Sequence, residues 1–258
     1  MTFKISIVTA TFNAESCVAG LCKSVAKQKN KYIEFIVIDG SSTDRTWQIL
    51  DEFNEYIDYR ISEPDNGIYD AWNKGVQRAR GEWIMFLGAD DELMPGAVNT
   101  YLQVLSKNED PVNLDLVSSK AQMVDKQGRP IWVNGGPWKW PGFLFKMTIS
   151  HPGALHARHL FDRFGLYDIS YKIVGDYEML LRPKSTLHTL FVNMVSVKMT
   201  EGGMSDSLQA LKEHYKAAVK ASPKYYRLFI AFWCAYVYFK SRMNKLFRKL
   251  GVKLNIDR

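Results

Sequence analysis

Short apolar runs broken by polar, glycine-bearing turns dominate the first hundred residues, and their spacing predicts strands alternating with helices. Residues 4–12 (KISIVTATF) and 33–39 (IEFIVID) are β-branched and apolar, and each ends in polar residues. Behind the first come Val18, Leu21, Cys22 and Val25, and behind the second Trp47, Leu50 and Phe53, both sets at helical spacing. Ser42-Thr43-Asp44 is placed to cap the second helix. A strand near 58–62, a helix over 69–79, strand 83–87 (WIMFL) and a helix over 95–106 follow, the last with Pro95 in its first turn. Strand, polar turn, helix, strand predicts a mostly parallel α/β sheet whose working loops lie at the carboxyl ends of its strands.

Beyond residue 110 the alternation fails. Segments 114–124 and 129–134 read as antiparallel strands, 158–165 and 175–182 as helices, and 187–199 as one or two strands, with a Gly/Pro/Trp-rich loop at 134–143. From 206 onward the pattern is helical, and Leu228–Phe239 (LFIAFWCAYVYF) is unbroken apolar sequence with Arg227 before it and Lys240, Arg242, Lys245, Arg248 and Lys249 after it. Twelve helical residues rise about 18 Å, too short to cross a bilayer of about 30 Å.

Charge sharpens that contrast. The net charge of +7 belongs to the tail: from Lys212 onward there are 12 Lys+Arg against 2 Asp+Glu, and before it 22 against 25. The basic groups cluster beside an apolar run rather than across a folded face, which favours a membrane surface over nucleic acid. Packing of this helix on the protein's own core, or on a second subunit in a homo-oligomer, is the other reading. Cys17, Cys22 and Cys234 form no close pair, which argues against a disulfide framework or a zinc site and for a reducing cytosolic compartment. The first residues run directly into a strand and lack the features of a signal peptide.

Candidate chemistry gathers at the strand ends. Asp90-Asp91 closes an apolar strand, and two adjacent carboxylates repel unless a cation lies between them; a hard divalent ion suits, and a helix cap is the alternative. Asp39 ends the second strand beside Ser41, where a carboxylate can accept a base N–H or close a turn. Thr9, Thr11, Asn13 and Glu15 end the first strand and offer groups suited to a base and ribose, or to a turn. Asp65, Asp70 and Lys74 lie in EPDNGIYDAWNKG, where Lys74 can meet a phosphate or pair with Asp70 at i, i+4. Asp176 stands at a helix start and can serve as a general base or as a cap. His151 in a loop can bind metal or phosphate, Gly202–Ser205 can close over phosphates, and Trp138 and Trp140 can stack on a sugar.

Together these segments resemble the inverting family 2 glycosyltransferases of bacterial surface-polysaccharide assembly, across most of residues 3–205. Phe12-Asn13-Ala14-Glu15, the Asp39–Asp44 turn, the run from Glu63 to Gly75, and Gly81-Glu82-Trp83 leading into Phe86–Asp91 carry the resemblance. It implies a GT-A fold, a Rossmann-like three-layer α/β sandwich, with a nucleotide-binding half over 1–107 and an acceptor-binding half over 108–205. The tail over 206–258 lies outside that core. It further implies a nucleotide-sugar donor, UDP-linked, whose base and ribose meet Asp39, Thr9 and Glu15. Asp90 would touch ribose, Asp91 would ligate Mn²⁺ or Mg²⁺, and Asp176 would be the base.

The implied acceptor is a saccharide carried on a polyprenyl lipid, at the cytoplasmic face of the inner membrane. Gly88 and Gly175 depart from the family pattern, which commonly has acidic residues at both positions. The alternatives are a nucleotidyltransferase that makes an activated sugar, against which no Gly-rich triphosphate loop is found near the N-terminus, and a non-catalytic membrane partner that retains the fold.

Overall fold

The computed structural model describes residues 4–108, 113–202 and 207–249. The first half alternates as its sequence pattern predicts: β1 Ile5–Thr11, α1 Val18–Ala26, β2 Ile33–Asp39, α2 Thr46–Glu52, β3 Tyr59–Ser62, α3 Ile68–Arg78 and β4 Trp83–Gly88. Then come β5 Glu92–Leu93, α4 Ala97–Lys107, β6 Leu116–Val124, β7 Pro130–Asn134, β8 Leu155–Ala157, α5 Arg158–Phe164, α6 Gly175–Leu181 and β9 Thr189–Thr200. The tail supplies α7 Leu208–Ala221 and α8 Arg227–Lys249.

Among the described residues nine strands share one sheet in the order β3-β2-β1-β4-β8-β6-β9-β5, with β7 paired to β6. β1, β2, β3 and β4 run parallel, and β8 joins β4 antiparallel. The pleat sends alternate side chains to opposite faces. Ile5 and Ile7 pack with Phe35, Val37, Met85 and Leu87 beneath α1 and α4, whereas Val8 packs with Ile36, Ile38 and Phe86 beneath α3. Both faces are covered, so these strands are largely apolar rather than strictly alternating.

Three local expectations change. The helix after Pro95 begins at Ala97, because Gly96 takes a left-handed turn (φ 79°) as its cap and leaves Pro95 outside the first turn. The second helix is entered through Arg45 rather than a Ser42–Asp44 cap; Asp44 reaches forward instead, its Oδ1 accepting the Thr46 N–H at 2.9 Å. Finally, β6 forms the expected hairpin with β7 but also runs parallel to β9 along most of its length.

The tail is fastened to the rest of the fold. Ile230 and Cys234, one turn apart on α8, are buried in the same core as α3 and α6. That part of the helix packs on the protein itself. The outer face is open: Phe229 is 63% exposed and Phe232 66%, and with Phe145, Tyr226, Trp233 and Tyr236 they line an apolar groove of about 500 Å³. Among the described residues no helix is long and apolar enough to cross a membrane.

Candidate active site

The parallel register brings three strand ends to one rim: Ala10 lies opposite Ile38 and Gly88, and Thr11 opposite Asp39. The loops that follow are sewn together. Asn13 Oδ1 accepts the Thr43 N–H at 2.9 Å, its own N–H donates to Ser42 Oγ at 2.8 Å, and Glu15 Oε2 accepts the Arg45 N–H at 3.0 Å. Asn13 and Ser41 hold positive φ (48° and 62°), a geometry that Asn tolerates and Ser adopts only when its surroundings enforce it. Asn13 and Glu15 therefore build the turn wall, and these particular oxygens are engaged within it.

Asp39 is fully buried and saturated. Its Oδ1 accepts from Thr11 Oγ1 at 2.9 Å and Ser42 Oγ at 2.5 Å, and its Oδ2 from the Ser42 N–H at 2.9 Å and Ser62 Oγ at 2.6 Å. Four donors fill the acceptor sites of a carboxylate, so a base N–H reaches Asp39 only if a hydroxyl turns away. Thr9 departs further from expectation: it shares the Ile5/Ile7 face, is fully enclosed, and its hydroxyl has no partner. It lies below the rim, not on it. The alternation Ile5, Ile7, Thr9 already held that signal.

Asp65 Oδ1 accepts the Gly67 N–H at 2.8 Å, and its Oδ2 fills the space where a Cβ on Gly40 would stand, 2.5 Å away. Phe12, 65% exposed, borders the same space at 3.4 Å and offers an aromatic face at the rim. An aromatic side chain immediately after a strand end was the sequence signal for it. Asp70 and Lys74 do not pair. Asp70 accepts from the Asn66 backbone at 2.9 Å, and Lys74 Nζ lies 2.9 Å from Glu63 and 2.8 Å from the Pro64 carbonyl, so the lysine charge is held toward the preceding loop.

Asp90 and Asp91 sit at the end of β4. Asp91 is only 3% exposed, and its Oδ2 accepts the Gly88 N–H at 2.6 Å. Burial and then the charge of Asp90 push its carboxyl up to about 8. Oxygens from both acids approach within 3.1 Å of the point where a Gly88 Cβ would lie, so glycine leaves room for the pair to share one space. The Cys17 thiol, at the start of α1, is pushed up by burial and then by the charge of Asp90, with smaller contributions from Asp44 and Asp91. Among the described residues neither acid has an ion-pair partner. No group of three or more potential ligand side chains is present among them either. Two hard carboxylates without a cation fit a divalent ion, which Asp90 and Asp91 would hold and whose charge would favour a diphosphate.

Asp176 opens α6. Tyr69 OH, from the start of α3, lies 3.0 Å from Asp176 Oδ1 and 2.7 Å from the Ile173 carbonyl. Burial raises the Asp176 carboxyl above the ordinary range, while the Tyr177 backbone and the Tyr69 hydroxyl act the other way. Asp176 has no ion-pair partner among the described residues, and a carboxyl in that setting is a competent proton acceptor.

Two weaker expectations are corrected. His151 is 2% exposed, stacked on Trp72 (ring centroids 4.9 Å) and Phe86 (5.2 Å), with Nε2 2.9 Å from Tyr167 OH. Burial lowers its pKa to about 3, so it is a neutral member of an aromatic core rather than an open metal or phosphate ligand. Trp138 and Trp140 are half-buried, stacked on each other, and Trp138 packs on Phe143 at 4.3 Å instead of standing free in a loop. Of the Gly202–Ser205 loop, residues 203–205 lie outside the described residues, as does the 205/206 boundary.

Comparison with known proteins supplies the context. The family model described as Glycosyl transferase family 2 matches residues 6–171. A PGL/p-HBAD biosynthesis glycosyltransferase of Mycobacterium tuberculosis is 31% identical over 209 residues, covering 79% of each chain. The crystal structure of Staphylococcus aureus TarS 1–349 in complex with UDP-GlcNAc superposes with a TM-score of 0.66 at 16% identity, over 98% of this chain and 77% of that one. A mannosyltransferase from Pyrobaculum calidifontis in complex with GDP-Man and Mn²⁺ gives 0.64 at 14% identity, over 93% and 71%.

Proposed function

The chain belongs to glycosyl transferase family 2 and is a glycosyltransferase with the GT-A fold; from that premise we propose that it moves a sugar from a UDP-sugar to a hydroxyl of a lipid-linked saccharide, with inversion, at a membrane surface. The observation that carries the chemistry is a set of carboxylates without ion-pair partners among the described residues, at the end of β4 and at the start of α6. Asp90-Asp91 forms a cation-seeking acidic rim, and Asp176 is a separate, half-buried carboxylate, without an ion-pair partner among the described residues, that can take a proton.

Each residue then has a task. Phe12 stacks on the base, Asp39 and Thr11 hold the floor beneath it, and Asp65 borders the ribose. Asp90 touches ribose, and Asp91 holds Mn²⁺ or Mg²⁺, which neutralises the diphosphate when bound. Asp176 accepts the proton of the acceptor hydroxyl as its oxygen bonds to the anomeric carbon from the face opposite the leaving group. The bond from that carbon to the diphosphate oxygen breaks, and the diphosphate departs with the electron pair. Support for the UDP donor and the metal comes from the TarS complex with UDP-GlcNAc and the mannosyltransferase complex with Mn²⁺.

A thermal-shift panel of nucleoside diphosphates and nucleotide-sugars, with and without Mn²⁺, tests the reading, because a ligand of the native state raises apparent stability by about 2.7 kcal/mol at a hundredfold excess over Kd. The expected result is a shift for one UDP-sugar that needs the metal. Equal shifts in EDTA would remove the metal from the proposal.

The membrane reading rests on α8. Its sequence carries six Lys+Arg and no Asp or Glu, and its outer face is aromatic. That combination suits an anionic lipid surface, where each nearby basic group contributes about 1 kcal/mol. On this reading the protein is peripheral at the cytoplasmic face of the membrane. The full chain is expected to co-sediment with vesicles rich in anionic lipid, weakly with neutral ones, and less as salt rises. Failure to bind both, together with a concentration-dependent dimer in sedimentation, would assign the face to a second copy.

A further inference from the structure

We propose that Tyr69 is a positioning residue for Asp176: its hydroxyl holds the carboxylate in line for the acceptor and keeps it ionised. This rests on the reading of Asp176 as the base, and assigns to the Glu63–Gly75 segment a part in the chemistry of the acceptor side.

The geometry is specific. Tyr69 is 4% exposed, and its ring is fixed on three sides, by Trp72 (centroids 5.5 Å, edge-on), by Tyr167 (5.5 Å, tilted) and by the Gly175 backbone. A Cβ at position 175 would lie 2.9–3.0 Å from three ring carbons, so glycine lets the ring lie against the turn before Asp176. The hydroxyl has one proton and two acceptors, Asp176 Oδ1 and the Ile173 carbonyl. An ionised carboxylate competes for it more strongly than a neutral carbonyl, since charge-assisted bonds are about twice as strong. The segment is clamped from the other side, where Glu213 of α7 accepts the N–H groups of Ile173 at 2.9 Å and Val174 at 3.2 Å.

The charged and titratable neighbours are few. α3 contributes Tyr69, the loop before α6 contributes Tyr167, and α7 contributes Glu213 against the backbone. Arg182, the cap residue just past α6, is committed to Glu178 at 2.6 Å and to the carbonyls of residues 164–166. Among the described residues no cation pairs with Asp176, so its charge is stabilised by backbone N–H groups at the start of α6 and by Tyr69, the one side-chain donor that reaches it among those residues.

The sign follows from the bond. A donor to the charged form lowers a carboxyl pKa, so removing the hydroxyl raises it, and the acid limb of the kcat–pH profile moves to higher pH. In the full-length enzyme, Tyr69→Phe keeps the ring and loses only the hydroxyl. It is expected to lower kcat about tenfold or more at neutral pH, to leave KM for donor within about twofold, and to recover part of the loss as pH rises. Tyr167→Phe removes a neighbouring hydroxyl that meets His151, not Asp176, and is expected to leave the acid limb in place. It reports on general disturbance of the aromatic cluster.

An unshifted acid limb in Tyr69→Phe, or an equal shift in Tyr167→Phe, overturns the proposal. Should Tyr69→Phe prove unfolded by circular dichroism, the hydroxyl serves the fold through its bonds to Ile173 and Asp176 rather than tuning the base, and the proposal is likewise overturned. Asp176→Asn separates the two levels: full turnover by that variant removes the base itself, whereas an inactive Asp176→Asn beside a wild-type-like Tyr69→Phe removes only the positioning role.

Discussion

Asp176→Asn is expected to lower the rate of sugar transfer by about 10²–10⁴-fold, the usual contribution of a positioned general base, while the protein folds and binds nucleotide-sugar as before. Asparagine has the same shape and keeps a carbonyl oxygen to accept from Tyr69 OH, so the local bonding survives and only the capacity to take a proton is lost. The wild-type profile should agree. Burial holds this carboxyl above the ordinary range, and since the ionised form is the active one, kcat falls as pH drops through that raised value. Steady-state kinetics with donor binding measured in parallel gives the answer. A rate within tenfold of wild type would falsify the assignment, whereas a joint loss of rate and donor binding would indicate a structural role.

The second large effect concerns Asp91→Asn. The Asn side chain can still accept the Gly88 N–H, but it removes the buried charge that faces Asp90. Turnover and the Mn²⁺-dependent part of nucleotide binding should both fall by about two orders of magnitude or more, because a divalent ion here depends on few protein ligands. Stability in the absence of metal should behave oppositely. Two close carboxylates, one of them nearly enclosed, destabilise the metal-free fold, so relieving the charge should leave the thermal midpoint unchanged or raise it. Calorimetry in EDTA and in Mn²⁺, for both proteins, separates the effects. A variant that loses activity and also melts earlier in EDTA would show that Asp91 supports the fold rather than the ion.

How much of this was legible in the sequence depends on distance along the chain. β1, β2 and β4 are buried on both faces and therefore read as apolar runs, and the carboxylates that close them stand out in the sequence alone. β5 and β8 have two and three residues, too few for any periodicity, and exist only because β9, β4 and β6 offer edges to pair with. Site residues divide the same way. Asp90, Asp91 and Asp176 announce themselves by type and local setting. The saturation of Asp39 needs Thr11 and Ser62, the stacking of His151 needs Trp72 and Phe86, and Tyr69 meets Asp176 across 107 positions. Such contacts are products of the fold, and no spacing rule reveals them. Thr9 is the instructive exception, since its parity with Ile5 and Ile7 already directs it inward.

The single sheet carries one more implication. β4, which delivers Asp90 and Asp91, is hydrogen-bonded on one side to β1 and on the other to β8, and β8 continues through β6 into the second half of the chain. Among the described residues no seam in the sheet separates the strands of the first half of the chain from those of the second. Their mutual placement is thus a stiff frame established during folding, and little orientational freedom remains to be surrendered when the two substrates meet. Such a frame favours closure over the bound pair by surface loops rather than by hinging of one half against the other.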